Sequence, residues 1–300
     1  MKTIKQRISY AVMGLMAMGF TACTQNEDMA PTLKGQEINA TFSVGGMQTR
    51  VNTLGHGNNW ENEDKLKVSI FTDYDPGSTT VLSFNSATNE WSRTGSFRWL
   101  TDYEQHTILA VYPSDMDFGK ENLQYDLQTD QSSEGNLKNA DLITGYWHDI
   151  PRSYYVDIPM QHRMSMVTIV YHVGTADYPN MDISEPQVYS KNTSVNFYID
   201  QDQRQFVMST PSGNSDWVQA CKHDDNMFSA IVIPGSYIKD ERFLKFKIGD
   251  KNFYAKMKIN TEFQEGYRYT YKLDVGKDIV KLTQISVDDL KGWTNEDDLK

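Results

Sequence analysis

Apolar residues recur with period two along almost all of this chain, and that spacing confines it to β-structure. Ile38, Ala40, Phe42 and Val44 alternate with Glu37, Asn39, Thr41 and Ser43, as in a strand buried on one face. Leu66, Val68 and Ile70 repeat the pattern, and so do Tyr267, Tyr269, Tyr271 and Leu273. Met164 to Val173 (MSMVTIVYHV) is apolar on both faces, as befits a strand in the middle of a sandwich. No segment carries an apolar stripe at helical spacing over three turns. Turn signals such as Gly45-Gly46, Asp75-Pro76-Gly77 and Gly249-Asp250 separate the strands. The expected fold is therefore all-β: two tandem β-sandwich domains over 36–173 and 187–300, joined by a linker at 174–186 (GTADYPNMDISEP). The polar stretch Ser114 to Ala140 reads as a long loop. In the last strand, Ile279 to Val287, Val280 and Leu282 share one phase while Ile285 and Val287 share the other. A bulge near Thr283-Gln284 is expected there.

The N-terminus has a different logic. Lys2, Lys5 and Arg7 precede an apolar run of ten, Ala11 to Phe20, and small residues lead to Cys23. That is the layout of a secretory signal over 1–22, and Ala22-Cys23 makes it a lipoprotein signal with Cys23 as the acylated residue. The run is shorter than the ~20 residues a spanning helix needs. The lipid is thus the expected membrane contact, anchoring an otherwise soluble protein. Residues 23–35 form an acidic tether (TQNED, then Pro31 and Gly35). Such a tether resembles the surface-export signal of some gram-negative lipoproteins, which implies an outward-facing anchor on the cell outer membrane.

Charge and residue types narrow the chemistry. The chain carries 29 basic and 40 acidic residues, a net of −11. Residues 1–22 hold three of the bases and no acid, so the chain from Cys23 has 26 against 40, a net of −14. An acidic surface of this kind repels phosphate backbones, which excludes nucleic acid as a partner. Cys221 alone remains after Cys23, so no internal disulfide is expected. No nucleophile elbow, P-loop or HExxH motif occurs. His148-Asp149 and His223-Asp224-Asp225 read as solvated loop pairs, His162 as a structural hydrogen-bonding residue and Cys221 as a small buried group. Asp115 to Glu121 (DMDFGKE) has the acidity of a calcium loop with its glycine one place early and Asp126 where Glu belongs. No enzymatic activity, cofactor or metal is expected.

Several phrases together resemble the fimbrillin family, the lipoprotein pilins of type V pili and their Mfa-like relatives. They are Trp60 with Lys67-Val68-Ser69-Ile70-Phe71, Leu109-Ala110-Val111-Tyr112-Pro113 and His162-Arg163-Met164-Ser165-Met166-Val167. Ala230-Ile231-Val232-Ile233-Pro234, Gly266-Tyr267-Arg268-Tyr269 and Trp293 complete the set. The resemblance implies transthyretin-like (Greek-key) sandwiches, a structural or adhesive pilus subunit and other pilin subunits as partners. It further implies an extracellular arginine-specific protease that cuts after the first strand, between Arg50 and Val51. Loss of that strand (Ile38, Ala40, Phe42, Val44) would open a groove for a neighbour's terminal strand (Val280, Leu282, Ile285, Val287). A host or bacterial surface receptor fits such a subunit. The alternative is a monomeric outer-membrane lipoprotein binding glycans through exposed aromatics, with Trp91, Trp99 and Trp147 as candidates.

Overall fold

In the computed structural model, residues 32–44, 60–174, 182–223, 226–276 and 280–289 are described below. The first half supplies β1 (Asn39–Val44), β2 (Lys65–Phe71), β3 (Ser78–Asn85), β4 (Glu90–Arg93) and β5 (His106–Tyr112). It continues with β6 (Asn122–Asp126), α1 (Glu134–Asn139), β7 (Ile143–Asp149), β8 (Tyr155–His162) and β9 (Ser165–Val173). Then come β10 (Ser184–Ser190), β11 (Ser194–Asp200), β12 (Gln205–Met208), β13 (Asp216–Gln219) and β14 (Cys221–His223). The last group is β15 (Met227–Val232), β16 (Gly235–Tyr237), β17 (Arg242–Ile248) and β18 (Lys251–Lys256). It ends with β19 (Thr261–Phe263), β20 (Tyr267–Val275) and β21 (Val280–Asp289). The chain is all-β, as the period-two alternation dictates.

Seven strands form the sheet β1-β8-β7-β5-β2-β3-β4, and five form β14-β15-β9-β20-β21. The sheets β13-β10-β17-β18, β12-β11-β6 and β16-β19 complete the fold. Two hydrophobic cores result. Phe42, Val68, Phe97, Trp99, Ile108 and Ile158 belong to one; Leu109, Val111, Met166, Phe197, Phe228 and Phe243 belong to the other. β5 explains why the cores are neighbours. Every one of its residues is buried, with Ile108, Ala110 and Tyr112 in the first core and Leu109 and Val111 in the second. Its uninterrupted apolar run is what burial on both faces requires. The described residues from Leu33 onward accordingly form one compact unit.

One local reading is corrected, and the bulge expected near Thr283-Gln284 is found at the next residue. The stretch 114–140, expected as a loop, contains β6 and α1. Leu123 and Tyr125 alternate with exposed neighbours on β6, which pairs with β11 from Asp126–Ser194 to Asn122–Tyr198. The short helix starts at Ser133, whose Oγ accepts the Asn136 amide at 3.2 Å, and buries Leu137. The register shift in β21 falls at Ile285, between the pairs Thr270–Ser286 and Tyr271–Gln284. It does not carry Ile285 and Val287 inward; they stay 49% and 45% exposed, while Leu282 is buried. β6 and β9, both N-terminal to 174–186, pair with strands beyond it: β6 with β11, and β9 with β15 and β20.

Candidate assembly site at two edge strands

β1 lies at one end of its sheet and is laddered on one side only. It runs parallel to β8 from Asn39–Tyr155 to Val44–Met160. Ile38, Phe42 and Val44 are buried in the first core, and Ala40 is half-buried. The opposite, polar phase is anchored as well. Thr41 Oγ1 donates to Asp157 Oδ1 at 2.8 Å, and Ser43 Oγ donates to Asp157 Oδ2 at 2.8 Å. Trp60 Nε1–H donates to the Phe42 carbonyl at 2.8 Å. Trp91 meets the Phe42 ring edge-on at 5.1 Å and the Trp60 ring at 5.1 Å. At the head of the strand, Glu37 pairs with Arg93 and, at 2.7 Å, with Arg98.

The unladdered side of β1 looks across a groove to β4, the strand at the other end of the same sheet. The groove has a volume of about 580 Å³ and is lined by Ile38, Ala40, Leu82, Trp91, Phe97 and Tyr155 among others. The unladdered edges of β1 and β4 therefore face each other across a partly apolar trough, closed at its head where the Ile38 amide donates to the Phe97 carbonyl at 3.1 Å. Such edges are templates for a further strand.

β21 is the second edge, at the end of the five-stranded sheet. It pairs antiparallel with β20 from Val275–Val280 to Tyr267–Asp289. Val280 is half-buried and Leu282 fully buried. Close to the register shift, Thr270 Oγ1 and Gln284 Oε1 are buried without a hydrogen-bond partner among the described residues. Buried polar atoms left this way weaken the pairing.

Of the residues expected to carry function, Cys23, Arg50 and Val51 lie outside the described residues. So do Asp224 and Asp225, the carboxylates that follow His223. Trp99 is not a surface platform: it is 2% exposed, and its Nε1–H donates to the Ser153 carbonyl at 3.0 Å. Trp91 and Trp147 are half-buried, Trp147 against the Trp99 ring at 5.5 Å. His162 makes a buried contact through Nδ1 with Asp141 Oδ2 at 2.8 Å. Cys221 is buried, and burial raises its thiol pKa. In Asp115–Glu121, Lys67 Nζ sits 2.6 Å from the Met116 carbonyl and 3.1 Å from Asp117 Oδ1, so an ammonium answers that loop's charge. Among the described residues no cluster of three or more His, Cys, Asp or Glu side chains is placed to hold a metal.

Sequence reasoning missed Trp60 as a clamp on β1, and Asp157 as the acceptor for Thr41 and Ser43. The signal for Asp157 is present only as polar residues in the outward phase of both strands. The buried Asp64 beside Trp60 was also unforeseen. Burial raises its carboxyl pKa, against the opposing effect of Lys138 Nζ at 2.6 Å.

The described residues thus form an all-β chain in which β1 and β21 are terminal strands of their sheets. The sequence pattern of the Fimbrillin-like family matches residues 49–289, and the chain belongs to that family. Among solved structures it is similar to a protein of Bacteroides ovatus described as a cell adhesion protein. The TM-score is 0.62 at 13% identity, over 87% of this chain and 99% of that one. A second such protein, from Bacteroides uniformis, gives a TM-score of 0.60 at 15% identity, over 84% and 96% of the two chains. At these identities the likeness is one of fold. No curated protein matches the chain.

Proposed function

We propose that this protein is a structural or adhesive subunit of a cell-surface pilus, assembled by strand complementation. Arg50–Val51 cleavage releases β1, and β21 of the next subunit takes its place. The observation that carries the reading is the placement of β1: one ladder, one sheet edge and a groove on its free side. Arg50 follows β1 by six residues, so the cut would separate β1 from Trp60 and everything after it. What remains is a seat shaped for Phe42 and Val44, next to an unpaired β8 edge. Each large apolar side chain that refills this seat contributes about 1.5–3 kcal/mol. β21 supplies an edge strand with Ile285 and Val287 already exposed. Cys23 acts as the lipid tether that delivers the subunit to the outer membrane and departs with β1.

The test is to treat the secreted chain with an arginine-specific protease and sequence the product. A new N-terminus at Val51, with SDS-resistant ladders that Arg50→Ala abolishes, is expected. An intact 45–59 segment in assembled material would overturn the mechanism.

A further inference from the structure

The sheet β13-β10-β17-β18 buries one face, through Val188, Val218, Leu244 and Ala255, and turns the other outward. Its register brings three aromatic rings and several cations together on that outer face. Tyr189 on β10 is directly opposite Trp217 on β13, their ring centroids 5.3 Å apart. The Trp217 ring extends towards Tyr254 on β18, at 6.2 Å. Lys245 on β17 is the partner of Tyr254, and Arg242 stacks its guanidinium over the Tyr254 ring at 4.5 Å. Lys256 stands two residues beyond Tyr254, hence on the same face. Lys247 is answered by Glu185 at 2.7 Å. Arg242, Lys245 and Lys256 make no ion pair among the described residues.

This is an unusual local composition for a chain of net charge −11. We propose that this face is a binding surface for an acidic polysaccharide, carboxylated or sulfated. The C–H face of a pyranose ring is apolar and weakly positive, and it complements the negative face of Trp217 and Tyr254. The cations beside those rings supply the charge that a neutral sugar would leave unpaired and that an acidic one satisfies. Gln187 and Gln219 on the same face are tied to each other, Gln187 Nε2 donating to Gln219 Oε1 at 3.2 Å and Gln219 Nε2 to the Pro186 carbonyl at 3.1 Å, so the rings and cations carry the recognition. β18 lies against β21, but none of these residues lines the groove between β1 and β4, and the face needs no strand exchange, so a monomer carries it.

Affinity gel electrophoresis of the full chain tests the proposal, with polygalacturonate, heparin and neutral dextran as probes. Retardation by polygalacturonate, heparin or both, and not by dextran, is expected. The two acidic gels distinguish a carboxylated from a sulfated ligand. Trp217→Ala should weaken binding by about tenfold or more, and Lys245→Gln with Lys256→Gln should weaken it without lowering the thermal midpoint. Tyr74→Ala, an exposed aromatic between β2 and β3, should leave it unchanged. No retardation by either acidic polymer would overturn the proposal, as would equal retardation by dextran or indifference to the double lysine variant. Sedimentation tests the competing occupant: self-association lost in the same lysine variant, without polysaccharide binding, would assign the face to a second copy instead.

Discussion

Phe42 anchors β1 by three separate contacts: burial in the first core, the edge-on Trp91 ring and the Trp60 hydrogen bond to its carbonyl. Phe42→Ala in the uncleaved chain should cost about 3–5 kcal/mol, read by urea denaturation. A loss within the error of the measurement would mean that the strand is not seated in this way. His106 makes a second residue-scale prediction. Its Nε2 accepts the amides of Leu100 at 3.0 Å and Thr101 at 3.3 Å, while Nδ1–H donates to the Glu104 carbonyl at 2.9 Å. The ring is held neutral, and burial lowers its pKa below the ordinary 6.5. The unfolded chain then binds the proton more readily than the folded one. Stability from this group is complete above the unfolded value and falls as pH drops below it. The thermal midpoint should decline with falling pH in the wild type, and the slope should be shallower in His106→Asn. An unchanged slope would contradict the assignment.

At the scale of elements, β21 should be dispensable for folding and necessary for assembly. Its one fully buried apolar side chain is Leu282, so truncation before residue 280 should cost on the order of 1.5–3 kcal/mol. The truncated chain should keep its far-UV spectrum and form no SDS-resistant ladder; unfolding on truncation would show β21 to be a permanent part of its sheet. The sequence made these strands legible because alternation is local. Leu66-Val68-Ile70 and Tyr269-Tyr271-Leu273 announce their inner faces without help from partners. Pairing is not local: the Thr41–Asp157 contact spans 116 positions, and nothing in either strand says that they run parallel. β13, β14, β16 and β19, with three or four residues each, are too short to show a period. β6 hid in a polar stretch because only Leu123 and Tyr125 mark it. The clamp by Trp60 was illegible for the same reason: an indole that reaches a backbone carbonyl leaves no pattern in sequence.

For the whole molecule, β5 is the decisive element, since its two faces fill different cores. Two sandwiches joined by a linker alone would unfold separately. A shared strand instead predicts that the described residues unfold together, in a single calorimetric transition. Leu109→Ala, on the face of β5 turned to the second core, should lower that transition without splitting it, at a cost of about 2–5 kcal/mol. Two resolved peaks would contradict the shared core. The acidic charge and the all-β class were legible from composition and periodicity. The way one strand joins both cores was not, because Leu109 and Ile108 look alike in a run that is apolar throughout.

In the proposed assembly, β21 of one subunit occupies the seat of β1 in another. Asp157 marks that seat, since it bonds Thr41 and Ser43 of β1. The most direct measurement pairs Asp157→Cys in one preparation with Thr283→Cys, Ile285→Cys or Val287→Cys in a second, and scores intermolecular disulfides by mass spectrometry before and after cleavage at Arg50. Strand exchange predicts a cross-link at one or more of the three positions after cleavage and none before it. Equal cross-linking without cleavage, or none in assembled ladders, would contradict it.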